Sequence, residues 1–130
     1  MIFVDSSVWI DYFNGAITSQ TDRLDHLLKT EIIATGDLIF TEVLQGFRSE
    51  KHFNAAQQLL GSLIFFDMLG KEIALKSTQN YRFLRQQGIT IRKTIDIMIG
   101  TFCIENDLIL LHSDQDFAPM QKLLKLKTDA

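Results

Sequence analysis

The chain has 130 residues, and its 46% hydrophobic content is enough for a sizeable core, so residues 1–130 read as a single domain. Thirteen basic against sixteen acidic residues give a net charge of -3, which argues against a binding module that captures nucleic acid through an overall positive field. The lone Cys103 excludes a disulfide framework or a zinc cluster, no run approaches about 20 apolar residues, and "MIFVDSSVWI" carries no basic leader. The expectation is a protein of the reduced cytoplasm, neither secreted nor membrane-spanning.

In chain order, "IFVD" is a short apolar run that reads as a buried strand. In "SSVWIDYFNG", Val8, Trp9, Tyr12 and Phe13 recur at helical spacing until Asn14-Gly15 stops them. "SQTDRLDHLLKT" places Leu24, Leu27 and Leu28 on one helical face, and "EIIAT" reads as a second strand. "DLIFTEVLQGF" predicts a helix starting near Asp37, and "EKHFNAAQQLL" predicts another ending near Gly61. "SLIFFD" is a third strand. "KEIALKSTQNYRFLRQQG" is a long amphipathic helix closed by Gly88, "TIRKTIDIMIGTFCIEN" a mostly buried helix ending at Asn106, and "LILLHSDQDF" a strand with a polar tip. One proline, no repeat and no linker accompany this alternation of short apolar strands and helices. The pattern predicts an α/β fold, with a parallel sheet covered on both faces.

In open parallel sheets, ligands bind beyond the carboxyl ends of the strands. Asp5 ends the first strand and Asp114 follows the last, so two carboxylates occupy equivalent positions. Each also has a purely structural reading as a helix cap, as does Asp116. Asp96 stands in a run that is otherwise nearly all apolar, where a lone carboxylate costs on the order of several kcal/mol unless it is paired, protonated or metal-bound. Read as one helix, the segment puts Asp96 one turn after Arg92, which predicts an ion pair at the edge of a core. Ile91, Ile95, Met98 and Phe102 then form the main apolar face. Glu42 shares a stripe with Leu38 and Gln45 and fits solvent as easily as a cleft.

Taken together, Asp5, Glu42, Asp96 and Asp114 admit a second reading, in which strand ends and helices bring them into one oxygen-rich cluster. Such a cluster repels itself unless cations are present, and Mg2+ or Mn2+ suits carboxylate and water ligands. One metal, or two about 3.5–4 Å apart, would activate a water and stabilise an in-line phosphoryl displacement. Taking these four acids and Asp116 away moves the charge from -3 by five units to +2, so the acidity of the chain does not count against a nucleic-acid substrate.

"FVDSSVWIDYF", "TEVLQGF" and "GITIRKTIDIMIGTFCIENDLILLHSDQDF", in that order over essentially the whole length, resemble a PIN domain of the VapC type, the toxin half of a toxin-antitoxin module. The resemblance implies an α/β/α sandwich with a parallel sheet of about five strands, and Mg2+- or Mn2+-dependent endoribonuclease activity. By matching residues it implies that Asp5 is the first-strand metal ligand, Glu42 and Asp96 are the helical acids, and Asp114 is the acid after the last core strand. Asp116 matches a further metal-ligating position, and Ser6 a small hydroxyl residue beside the first acid. The hydroxyl residue expected two places before Asp114 is His112 here, followed by Ser113, so these two and Ser6 are candidates to orient water or contact phosphate. Arg92 is a candidate for the scissile phosphate. Arg82, Arg85, Lys93, Lys122, Lys125 and Lys127 are candidates for a phosphate-contacting rim, each with an ordinary solvated role as its alternative. The resemblance further implies a VapB-like antitoxin, laid along an apolar groove with a basic side chain near the acids, and a homodimer.

Two other aspartate-based classes fit less well. A haloacid-dehalogenase-like phosphatase needs a second aspartate two places after the first, where this chain has Ser7. A receiver domain needs a lysine after a late strand, which "LILLHSD" does not supply. A catalytically silent PIN fold that binds RNA or protein is the remaining alternative, and the intact acidic set argues against it.

Overall fold

A computed structural model describes residues 1–129. The chain alternates β1 (Ile2–Val4), α1 (Ser6–Phe13), α2 (Ser19–Thr30), β2 (Ile33–Gly36), α3 (Asp37–Leu44), α4 (Glu50–Gly61), β3 (Ile64–Phe66), α5 (Lys71–Gln86), α6 (Thr94–Glu105), β4 (Ile109–Leu111), α7 (Ala118–Leu123) and β5 (Lys127–Thr128). A single 3-10 turn, Gln115–Phe117, leads into α7. The five strands form one parallel sheet in the order β3-β2-β1-β4-β5. β1, β2 and β4 are almost wholly apolar because a parallel sheet covered on both faces offers them no wet side.

From β1 the chain steps outward through β2 to β3, then crosses back to β4 and on to β5. The order therefore reverses between β1 and β4, where an open α/β sheet leaves a crevice at its carboxyl edge. α1 packs on α2 and α3, and α3 on α4, whereas α5 packs on α6, and α6 meets β4 and the 3-10 turn. Phe102 of α6 lies against Phe3 of β1 and Phe66 of β3, with ring centroids 5.5 Å and 5.4 Å apart. This contact seats α6 across the middle of the sheet.

Three details differ from the sequence expectation. β5 has only two residues, Lys127 and Thr128, too short and too polar to show an apolar run. α6 begins at Thr94, with the Ile89–Lys93 stretch outside it, so Arg92 does not lie one helical turn before Asp96. Finally, the most buried face of α6 carries Asp96, Ile99, Gly100 and Cys103, while Ile95 and Met98, assigned to its main apolar face, are half-buried. The helix is covered by the sheet on one side and by α5 on another, so nearly every position is apolar and periodicity has little contrast to report.

Two glycines mark close approaches. A Cβ on Gly100 of α6 would collide with the Met120 thioether of α7. At the end of β2, a Cβ on Gly36 would collide with the Met68 side chain and lie 2.8 Å from the Phe66 carbonyl oxygen. The segment after β3 is tied there by Asp37, whose Oδ1 accepts the Leu38 and Met68 backbone N–H groups at 2.9 Å and 3.0 Å. Overpacking at a fixed backbone contact costs about 1–3 kcal/mol. Gly36→Ala is therefore expected to lower the urea-unfolding free energy by about that much, whereas Gly61→Ala, at the end of α4 where an added Cβ meets nothing within 4 Å, leaves it unchanged or raises it by up to about 1 kcal/mol.

Candidate active site

β1 delivers Asp5 to the crevice, its backbone N–H bonded to the Leu111 carbonyl of β4 at 2.9 Å. The residue is 2% exposed. Its Oδ2 caps α1 by accepting from the Ser7 backbone N–H at 3.1 Å and from the Ser7 hydroxyl, while Oδ1 is buried without a hydrogen-bond partner. The capping role and an open oxygen thus coexist on one carboxylate. Burial raises the Asp5 pKa above the usual carboxylate range, against the pull of the Ser7 hydrogen bonds.

Ser6, the first residue of α1, is buried and donates its hydroxyl to Glu42 Oε1 at 2.7 Å, joining α1 to α3. Glu42 is half-buried and lines a cavity of about 100 Å³ with Ile10, Asn14 and Phe47, so it points into a cleft and not into open solvent. Burial raises its pKa, the Ser6 hydrogen bond opposes that, and Asp5 adds a like charge.

Asp96 lies in the first turn of α6 and is 5% exposed. Its Oδ2 is buried and unpaired. Burial, followed by the like charges of Asp5 and Asp114, pushes its pKa up to about 7, with the neighbouring Lys93 pulling the other way. The ion pair with Arg92 expected from spacing does not form. Arg92, freed from the helix, places Nε 3.2 Å from Asp116 Oδ2 and Nη2 4.0 Å from Asp114 Oδ1.

Asp114 and Asp116 are brought round by the 3-10 turn, which Asp114 caps by accepting the Asp116 backbone N–H on Oδ1 at 2.9 Å. Asp96, Asp114 and Asp116 each present a carboxylate oxygen within 4.8 Å of the other two, close enough to share a cation. Asp5 lies outside that triplet, yet its charge acts on Asp96 and on Glu42, and Asp114 acts on Asp5.

The remaining candidates are less central. His112 is half-buried, lies tilted against Phe117 with ring centroids 5.0 Å apart, and accepts the Asp114 backbone N–H on Nδ1 at 3.3 Å. Burial lowers its pKa. It also borders a cavity of about 350 Å³ with Gln20, Arg23 and Asp129. Ser113 is exposed beside Asp114. Of the rim cations, Lys93 is felt by Asp96 and Glu42, Arg85 lies 5.7 Å from the Tyr81 ring centroid, and Lys127 pairs with Asp107 at 2.6 Å. Sequence spacing did not reveal the Arg92 contact to Asp116, because it depends on the turn before α6 and on a residue 24 positions away.

The donor set is all oxygen, and two deeply buried carboxylate oxygens have no protein partner. A cation among Asp96, Asp114 and Asp116 would offset their mutual repulsion and lower the raised pKa of Asp96, so the residues fit a hard divalent metal such as Mg2+ or Mn2+.

The family model for the PIN domain matches residues 2–123. At 25% identity over 129 residues, covering 98% of this chain and 96% of each relative, the sequence is similar to VapC ribonuclease Mb1587 of Mycobacterium bovis and to ribonuclease VapC11 of Mycobacterium tuberculosis. In fold, it is similar to VapBC2 of Rickettsia felis bound to a promoter DNA fragment, with a TM-score of 0.76 and 17% identity over 99% of this chain and 98% of that one. It is also similar to the sarcin-ricin loop cleaving toxin VapC20 of Mycobacterium tuberculosis, with a TM-score of 0.69 and 14% identity over 91% and 93% of the two chains. The sheet order, the crevice and a model match spanning nearly the whole sequence agree, and the chain belongs to the PIN domain family.

Proposed function

We propose that the protein is a divalent-metal-dependent endoribonuclease and the toxin of a toxin-antitoxin pair. The observation that carries the reading is the clustering of Asp96, Asp114 and Asp116 beside Asp5 at the reversal point of the sheet. The similarity to VapC ribonucleases supports it. We take residues 1–130 as one nuclease domain acting in the cytoplasm, and among the described residues no helix is long and apolar enough to cross a membrane. The VapBC complexes among its structural neighbours support a VapB-like antitoxin as partner, and a homodimer is part of the same proposal.

Asp96, Asp114 and Asp116 would hold Mg2+ or Mn2+, with Asp5, whose buried Oδ1 has no partner, as a further donor beside them. When bound, the cation polarises phosphoryl oxygens and lowers the pKa of a coordinated water. Glu42 holds or passes on the proton of the attacking water: the Ser6 hydroxyl fixes one of its oxygens, and burial keeps its basicity above that of a surface glutamate. Asp5 is locked in place by Ser7, so the first-strand donor costs little reorganisation. Exposed Arg92 and Ser113 beside the acids are candidates for substrate contact, and His112 sets the Asp114 backbone by accepting its N–H.

Calorimetric titration of Mg2+ and Mn2+, with RNA cleavage followed on the same samples, tests the reading. Asp96→Asn and Asp5→Ala are expected to abolish measurable metal binding and slow cleavage about 100-fold or more while remaining folded. Undiminished cleavage by both would refute it.

The same electrostatics predict a pH effect on the metal-free protein. Asp96 has a folded-state pKa of about 7 against an ordinary 3.8, so its contribution to stability is fully present below pH 3.8 and is lost as pH rises through about 7. The melting temperature of the wild type in chelator should therefore fall by several degrees relative to that of Asp96→Asn over this window, and saturating Mn2+ should abolish that relative fall.

A further inference from the structure

Arg92 is 73% exposed in its side chain, and it sits in the short stretch between α5 and α6 and not on either helix. Its guanidinium nevertheless faces inward, with Nε bonded to Asp116 Oδ2 at 3.2 Å and Nη2 4.0 Å from Asp114 Oδ1. These are two of the three carboxylates whose oxygens converge within 4.8 Å. The adjacent Lys93 acts on the other side of the cluster, on Asp96 and Glu42. One dipeptide thus supplies positive charge across the acidic site, and Arg92 does so on two of the carboxylates a metal would take.

We propose that Arg92 is a displaceable counter-ion of the site: it neutralises Asp114 and Asp116 in the metal-free protein and gives them up when a divalent cation binds, which frees its guanidinium for the RNA phosphate. The proposal rests on reading the carboxylates as a metal centre. A guanidinium and a divalent cation placed on the same two carboxylates repel each other and draw on the same negative charge, so the two compete. An exposed side chain in a turn leaves with little disturbance to packing, and guanidinium is well matched to a phosphate in a fork geometry. Free toxin would then carry a built-in charge balance that costs it some metal affinity and returns a phosphate ligand once the metal is in place.

The test is calorimetric Mn2+ binding to the full chain at low ionic strength, comparing wild type, Arg92→Gln and Arg92→Lys, with melting temperatures in chelator and in saturating Mn2+. Arg92→Gln should bind Mn2+ about two- to fivefold more tightly, the equivalent of a lost exposed ion pair. It should melt lower than wild type in chelator and equally in saturating Mn2+. Arg92→Lys, which keeps the charge without the fork, should fall between the two. At saturating Mn2+, Arg92→Gln should raise KM for an RNA substrate several-fold. Unchanged or weaker Mn2+ binding by Arg92→Gln, with normal wild-type binding, overturns the counter-ion role and leaves the metal centre standing. An unchanged KM overturns the release to phosphate. A wild type that binds no Mn2+, or an Asp96→Asn variant that binds as well as wild type, removes the metal centre and this proposal with it.

Discussion

The end of β1 governs the site. A central parallel strand buried on both faces stops at Asp5, and the next residue starts a helix, so the carboxylate has to cap that helix while lying inside the protein. Ser7 takes one oxygen, and the other is left buried without a hydrogen-bond partner. Three other acids lie near enough for their charges to act on it or to feel it, Glu42, Asp96 and Asp114. Glu42 is held from the α3 side by Ser6, Asp96 is carried in by the sheet-covered α6, and Asp114 follows β4. Burial and mutual repulsion raise the pKa values of Asp5, Glu42 and Asp96 together, with Asp96 near neutrality. The fold therefore concentrates negative charge at the point where a doubly wound sheet opens.

Much of this could be read from residues alone. The apolar runs gave β1 to β4, helical spacing gave the amphipathic helices, and the positions of Asp5 and Asp114 after strands placed them at the carboxyl edge. The choice between capping and chemistry was not legible, because it was posed as a choice: Asp5 and Asp114 both cap, and each does so with one oxygen while its charge still acts on the site. The partner of Arg92 was misread for a geometric reason. Treating residues 90–106 as one helix put Arg92 a turn from Asp96, whereas a helix that starts at Thr94 lets the arginine swing toward Asp116. Glu42 was ambiguous for want of a sharp amphipathic face, and the Ser6 bond that orients it spans 36 residues.

The unpaired side chains of the core separate two kinds of burial. Trp9 Nε1, Thr35 Oγ1 and Ser77 Oγ are buried without partners, as are Asp5 Oδ1 and Asp96 Oδ2. A neutral N–H or hydroxyl left this way costs about 1–3 kcal/mol, whereas a carboxylate has the further option of taking up a proton or a cation. The two aspartates accordingly respond to solution conditions in a way the tryptophan, threonine and serine cannot.

The notch at Gly100 has a mechanical consequence. Met120 of α7 fills it, four residues along α6 from Asp96, and the Leu126 and Leu124 backbone N–H groups both bond to the Met120 carbonyl, at 3.2 Å and 2.9 Å. The helix that carries the buried acid and the C-terminal segment that ends in β5 are thereby keyed together like a tenon in a mortise. Disturbance of the stretch from Met120 to Asp129, which follows the acids in sequence, would therefore reach Asp96 through the seat of Met120 on its helix as well as through the β5 edge of the sheet.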